Sequence, residues 1–200
     1  WLIILFCLPM FYSSPDYVVS QYFDWYASLA EKNVSNLNTT TYNLQNLSLL
    51  GFLQRTGIYN NNSMVILLGL GLFALPYLRI QQYKNLNFRL LLLASVSIFL
   101  CLFSTGTENS TYIVAYVGVG IWFMVSELHP KLKITLLVLA MLGSLSPTDL
   151  FKPLKEPYII RYSLRAVPVT LVWLAIVYEM LFIQVRDKKD ENNRNNSTVL

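Results

Sequence analysis

Six apolar runs divide this chain, and their lengths and spacing limit what it can fold into more than any other feature. They cover residues 1–12, 63–78, 90–103, 112–125, 134–145 and 166–183. The segments between most of them are short. Of the 200 residues, 54% are hydrophobic and 13% charged, a balance that belongs to polytopic membrane proteins and not to ordinary water-soluble domains. Aromatic residues reach 14% and gather near the ends of the runs, as interfacial belts require. The expected fold is therefore all-α: a polytopic transmembrane helical bundle, multi-pass in the cell inner (plasma) membrane, with membrane lipids around it. Several runs are only about 14 residues, against roughly 20 needed to cross a bilayer. Either their Tyr, Ser and Thr flanks extend them, or they are buried within a bundle.

Charge orients such a bundle. Arg79, Lys84 and Arg89, then Lys131 and Lys133, then Arg186, Lys188, Lys189 and Arg194 occupy the segments 79–89, 126–133 and 184–200. By the positive-inside rule these are cytoplasmic. The segments 13–63, 104–111 and 146–165, longer in total, are then on the outer face. They hold the other six basic residues, and Lys152, Lys155, Arg161 and Arg165 sit together in the last of them. Basic residues on the disfavoured side need a reason. An anionic ligand at that face supplies one, and non-specific contact with lipid phosphates is the plain alternative. The positive charges otherwise report topology, so no nucleic-acid partner is implied.

The 50-residue outer segment needs structure of its own. Ser14-Pro15-Asp16 is a helix start, with a capping hydroxyl, Pro in the first turn and an acid at the positive dipole end. Val18, Tyr22, Trp25, Tyr26 and Leu29 follow at helical spacing, which predicts an interfacial amphipathic helix over 14–32. A second short helix is predicted over 45–55, with Leu49, Leu50 and Leu53 on one side. The first run, WLIILFCLPMF, has neither an initiator Met nor a basic leader, so the chain is expected to be the C-terminal piece of a larger protein.

Candidate chemistry is sparse. Arg161 and Arg165 are four apart, a spacing that puts two residues on one helix face and would form a clamp on phosphate. Lys155 adds charge, and Tyr158 and Tyr162 add hydroxyls. In the turn STGTENST (104–111) Glu108 is the only charge. It either orients a hydroxylated acceptor, pairs with Arg161 or Arg165, or is a solvated turn carboxylate. Glu179 lies about one turn from the inner end of the last run and is expected to snorkel outwards. His129 is the sole histidine, and Cys7 and Cys101 lie in apolar runs, so neither a metal centre nor a disulfide framework is called for. No cofactor is implied, and a divalent metal stays open. The Asn-X-Ser/Thr sequons follow from an Asn-rich composition.

Three stretches together resemble a known family: QNLSLLGFLQR (45–55), STGTENSTYIVAYVGVGIWF (104–123) and EPYIIRYSLRAVPVTLVWL (156–174). They are similar to the C-terminal part of the bacterial polyprenyl-phosphate-mannose-dependent glycosyltransferases, family 87 of the GT-C superfamily. The more specific pieces are Ser-x-x-Gly-x-x-x-Arg (Ser48, Gly51, Arg55) and Glu-x-Ser-Thr-Tyr (Glu108 to Tyr112). The resemblance implies a mannosyltransferase working on the non-cytoplasmic face, with a polyprenyl-phosphate sugar as donor and a glycan or glycolipid as acceptor. Arg161, Arg165, Lys155, Tyr162, Glu108, Ser48 and Arg55 would bind substrate. The family's general base lies in its first outer loop, upstream of this sequence, so no catalytic residue is assigned. An O-antigen polymerase or ligase, and a transporter or flippase of a lipid-linked anion, are the competing functions. A transporter would show ionisable groups at the midplane and repeat symmetry, and the sequence has neither.

Overall fold

The computed structural model describes residues 1–37, 46–59, 61–146, 148, 159 and 161–184, the side chains of 36 and 37 excepted. The chain forms two compact units, residues 1–43 and 44–200. In the first, α1 (Leu2–Cys7) runs into a 3-10 turn (Leu8–Phe11), and α2 spans Pro15–Leu37. Ser14 Oγ accepts from the Tyr17 amide at 3.4 Å, the cap that the Ser-Pro-Asp start predicts. Tyr22 sets its ring edge-on to Phe6 and donates its hydroxyl to the Phe6 carbonyl at 2.8 Å.

In the second unit, polar caps decide where apolar sequence becomes helix. Ser48 caps α3 (Leu49–Arg55), and Asn61 caps α4 (Asn62–Ala74). Pro76 lies in the 3-10 turn Leu75–Leu78, and a second such turn covers Ile80–Lys84. Asn85 then starts α5 (Leu86–Leu102), its Oδ1 accepting from the amides of Asn87 and Phe88. α6 covers Tyr112–Val125. His129 Nδ1 accepts from the Lys131 amide and Pro130 takes the first helical position of α7, Pro130–Leu145. The only histidine is thus a helix cap. α8 covers Ala166–Phe182.

Helices α5, α6, α7 and α8 pack as a ring, α5 on α6, α6 on α7, α7 on α8 and α8 on α5. Each turns a stripe at helical spacing inwards: Phe88, Leu91, Ile98 and Leu102; Tyr112, Ala115, Val119 and Trp122; Leu136 and Ala140; Val169, Val172, Trp173, Ile176 and Met180. α5 and α6 approach closely because Gly118 has no side chain. A Cβ there would lie 2.9 Å from both the Ala94 carbonyl oxygen and Ile98 Cγ1. Trp173 donates its indole N–H to Ser95 Oγ at 3.1 Å, which satisfies both polar groups inside the core. At the far end Arg79 donates to the carbonyls of Met180 and Ile183, which ties off the last turn of α8.

These lengths overturn the transmembrane reading. α5 and α8 have 17 residues, α7 has 16, α6 has 14 and α4 has 13. At the α-helical rise, a 17-residue helix is about 25 Å long, short of the hydrocarbon thickness of about 30 Å. The one longer helix, α2 with 23 residues, carries Asp16, Asp24, Glu31 and Lys32. Among the described residues no helix is long and apolar enough to cross a membrane. A polytopic transmembrane bundle with interfacial helices, a multi-pass inner-membrane location and a non-cytoplasmic active face are therefore corrected. The physical reason is local. Asn61, Asn85 and His129 fix where α4, α5 and α7 begin, and Pro76 lies in the 3-10 turn where α4 ends, so the polar flanks do not lengthen these helices. The short runs are the helices of a packed bundle.

Candidate functional site

The residues before α3 form a tight polar knot. Ser48 Oγ accepts from the Gly51 amide and donates to Asn46 Oδ1 at 2.6 Å. Gly51 is required because a Cβ there would collide with the Asn46 carbonyl oxygen. The knot is held to the 104–112 turn: the Leu47 amide donates to the Thr107 carbonyl at 2.9 Å, and Tyr112 Oη donates to the Leu47 carbonyl at 2.6 Å. The turn itself is braced by Thr107 Oγ1, which donates to the carbonyl of Cys101 at 2.7 Å. Ser163 closes the arrangement from the third stretch. Its hydroxyl donates to the Asn46 carbonyl at 3.2 Å and accepts from Arg55 Nη1 at 2.6 Å. Ser163 sits at φ 51, a left-handed conformation that costs a non-glycine residue energy.

That left-handed residue lies between Arg161 and Arg165. Residues 161–165 form turns and not a helix, so Arg161 and Arg165 do not share a helix face as their spacing predicts. Arg161 is exposed and lies over the Tyr162 ring, 5.8 Å from its centroid. Arg165 is only 8% exposed. Its guanidinium lies 4.4 Å from the Tyr112 ring centroid and 5.4 Å from that of Tyr116, a cation–π setting that fixes its plane. Nη1 donates to Asn109 Oδ1 at 2.8 Å and Nε to Tyr116 Oη at 3.2 Å. Among the described residues Nη2 has no protein acceptor, and no carboxylate lies within ion-pair distance of Arg165. Burial raises the Tyr112 hydroxyl's pKa, with Tyr116 adding to the shift and Arg165 opposing it, so Tyr112 stays a neutral donor. Burial lowers the pKa of the Arg55 guanidinium.

Of the residues singled out from the sequence, Ser48 and Arg55 join one hydrogen-bonded region through Asn46 and Ser163, and Arg165 meets its edge through the Tyr112 ring, whose hydroxyl donates to Leu47. Tyr162 is half-buried beside Arg161. The Glu108 side chain is exposed and forms no ion pair with Arg161 or Arg165. Lys155 and Tyr158 lie outside the described residues. Asn109, Tyr116 and Ser163 were not singled out as binding residues. The i, i+4 pair Tyr112 and Tyr116 on one face of α6 is the signal that points to an aromatic bed. Two buried polar atoms, Asn46 Nδ2 and Gln54 Oε1, have no partner among the described residues.

At the opposite end of the bundle Glu179 is fully buried rather than snorkelling. It accepts from Trp122 Nε1 at 3.2 Å, Ser126 Oγ at 2.9 Å and the Glu127 amide. Burial raises its pKa against the pull of these three bonds. Among the described residues no group of three His, Cys, Asp or Glu side chains could hold a metal ion. No family model matches the chain, and no curated protein and no solved structure is significantly similar to it.

Proposed function

We propose that this chain supplies the donor-phosphate site of a hexosyltransferase, one that moves a sugar, with mannose the leading choice, from a polyprenyl-phosphate donor to a glycan or glycolipid acceptor. The observation that carries the reading is Arg165, a nearly buried cation with no carboxylate partner among the described residues. A buried charge without a counter-charge is expensive, and a phosphate that meets Nη2 would complete it. Two tyrosine faces and Asn109 hold the guanidinium in one orientation, which lowers the entropy lost when an anion binds. Arg55, held through Ser163, contributes a second positive charge to the same region. In a transfer of this kind the polyprenyl phosphate leaves as its bond to the sugar breaks, and a preorganised arginine stabilises the negative charge that develops on it. The proposal assigns the general base to no residue of this chain.

The test is donor binding to the purified protein, and sugar transfer where the general base is supplied by a longer form of the chain. Arg165→Ala is expected to remove about 1.5–3 kcal/mol of charge-assisted bonding, a loss of about ten- to a hundredfold in donor affinity or kcat/KM. Arg165→Lys recovers part of it, because an ammonium keeps the charge and loses the fork. Arg89→Ala, on the exposed side of α5, leaves both quantities unchanged. If a folded Arg165→Ala protein binds and turns over a polyprenyl-phosphate sugar like the wild type, the reading is wrong.

A further inference from the structure

A cleft of about 230 Å³ opens between α6 and α7. Its walls are Tyr116 and Val119 of α6 and Leu137, Ala140, Met141 and Ser144 of α7, so apart from the Tyr116 and Ser144 hydroxyls they are apolar. Small residues make the space. Gly143 beside the cleft has Pro168 at 3.4 Å and the Tyr116 hydroxyl at 3.7 Å from where its Cβ would be. Tyr116 belongs to two places at once. Its side chain lines the cleft, and its hydroxyl accepts from Arg165 Nε. The apolar cleft and the buried cation are therefore joined through one side chain. The volume is below the range of about 300–1,000 Å³ that takes a whole drug-sized molecule, so it suits a segment of a chain. An apolar cleft joined to an arginine with no carboxylate partner among the described residues fits an anion carried on a hydrocarbon.

We propose that the α6–α7 cleft seats the first part of the hydrocarbon chain of a prenyl phosphate whose phosphate meets Arg165. This rests on the donor-phosphate reading above and adds a site for the lipid. The cleft sets the chain dependence, and Arg165 sets the dependence on the phosphate. Binding of methyl phosphate and geranyl phosphate to the purified protein separates the two. Geranyl phosphate is expected to bind at least about tenfold more tightly, since two or so buried methylene groups already supply that factor.

Ser144→Phe and Met141→Trp fill the cleft from α7. Each is expected to bring geranyl phosphate close to methyl phosphate while methyl phosphate binding stays the same. A geranyl phosphate carrying a photoreactive diazirine on its chain gives a readout on the unaltered protein. Its adducts are expected on residues 137–144. Adducts confined to the exposed outer residues of α5, Leu93 and Leu100, would overturn the cleft as the lipid site. So would an unchanged geranyl preference in both filled variants while Arg165→Ala still abolishes binding, and that result leaves the phosphate reading standing. If Arg165→Ala changes binding of neither phosphate, the donor reading fails and the cleft fails with it as a donor site.

Discussion

Glu179→Leu removes the one acceptor shared by two buried donors and a part-buried amide, and its cost follows from that geometry. The indole N–H of Trp122, the hydroxyl of Ser126 and the amide of Glu127 all end on this carboxyl group. A hydrogen bond to a charged group contributes about 1.5–3 kcal/mol, and a donor left buried without a partner costs about 1–3 kcal/mol. The three share one partner, so their losses do not add. The expected destabilisation is about 3–5 kcal/mol. Ser126 can recover some of it, because its hydroxyl can turn, and its Oγ also accepts from the Leu128 amide. The Trp122 indole N–H has no such freedom.

Glu179→Gln can keep an oxygen for Trp122 and Ser126, which share Oε2, and places an amide N–H against the Glu127 amide, so about 1–2 kcal/mol is expected. The pH dependence has a definite sign. Burial raises the folded-state pKa of Glu179 above the ordinary value of 4.5, so between the two values the folded protein binds more protons than the unfolded one. The stability it contributes is complete below about pH 4.5 and is lost as pH rises through the folded value. Glutamine does not titrate, and the wild type minus Glu179→Gln difference isolates the group from Glu127 and from Lys133, which donates to the Ser126 carbonyl. Urea denaturation followed by tryptophan emission, at several pH values from 4 to 8, measures it. A Glu179→Leu cost below about 1 kcal/mol, or a difference that grows as pH rises, would refute the reasoning.

The glycines give three further outcomes. Gly118→Ala presses a methyl group against the Ala94 carbonyl and Ile98, and is expected to cost about 1–3 kcal/mol in thermal unfolding, whereas Gly120→Ala, with nothing within 4 Å, should stabilise by about 0.5–1 kcal/mol. Gly51→Ala drives its methyl group into the Asn46 carbonyl and should loosen the knot that holds Ser163. Faster hydrogen exchange at the Leu47 and Gly51 amides, compared with an unchanged core, is the expected reading.

Much of the local structure could be read directly. The helix start at Ser14-Pro15-Asp16, the short helix ending at Arg55 and the five apolar runs of the second unit all appear as helices, because caps and periodicity act within a few residues of chain. The environment of those helices could not be read in the same way. Apolar composition is the same for a helix facing lipid and one facing other helices, and only length separates them. Asn85, Ser126 with His129, and Pro76 set that length; the pattern of runs puts the first three in loops between spans and Pro76 inside the run 63–78.

The site divides along the same line. Sequence alone determined that Arg55, Arg165 and Ser48 belong to polar stretches set between apolar helices, because each lies at a helix end, where local spacing governs. Only the tertiary structure decided which of the charges matter. Helical spacing treats Arg161 and Arg165 as equals, but the left-handed backbone at Ser163 breaks that register and turns one outwards and the other onto Tyr112 and Tyr116. The same holds for Glu179, which a hydropathy reading sends to the surface. Three donors from residues 122, 126 and 127, more than fifty positions away, hold it inside. Contacts at that separation depend on how helices pack, and no pattern of neighbouring residues encodes them.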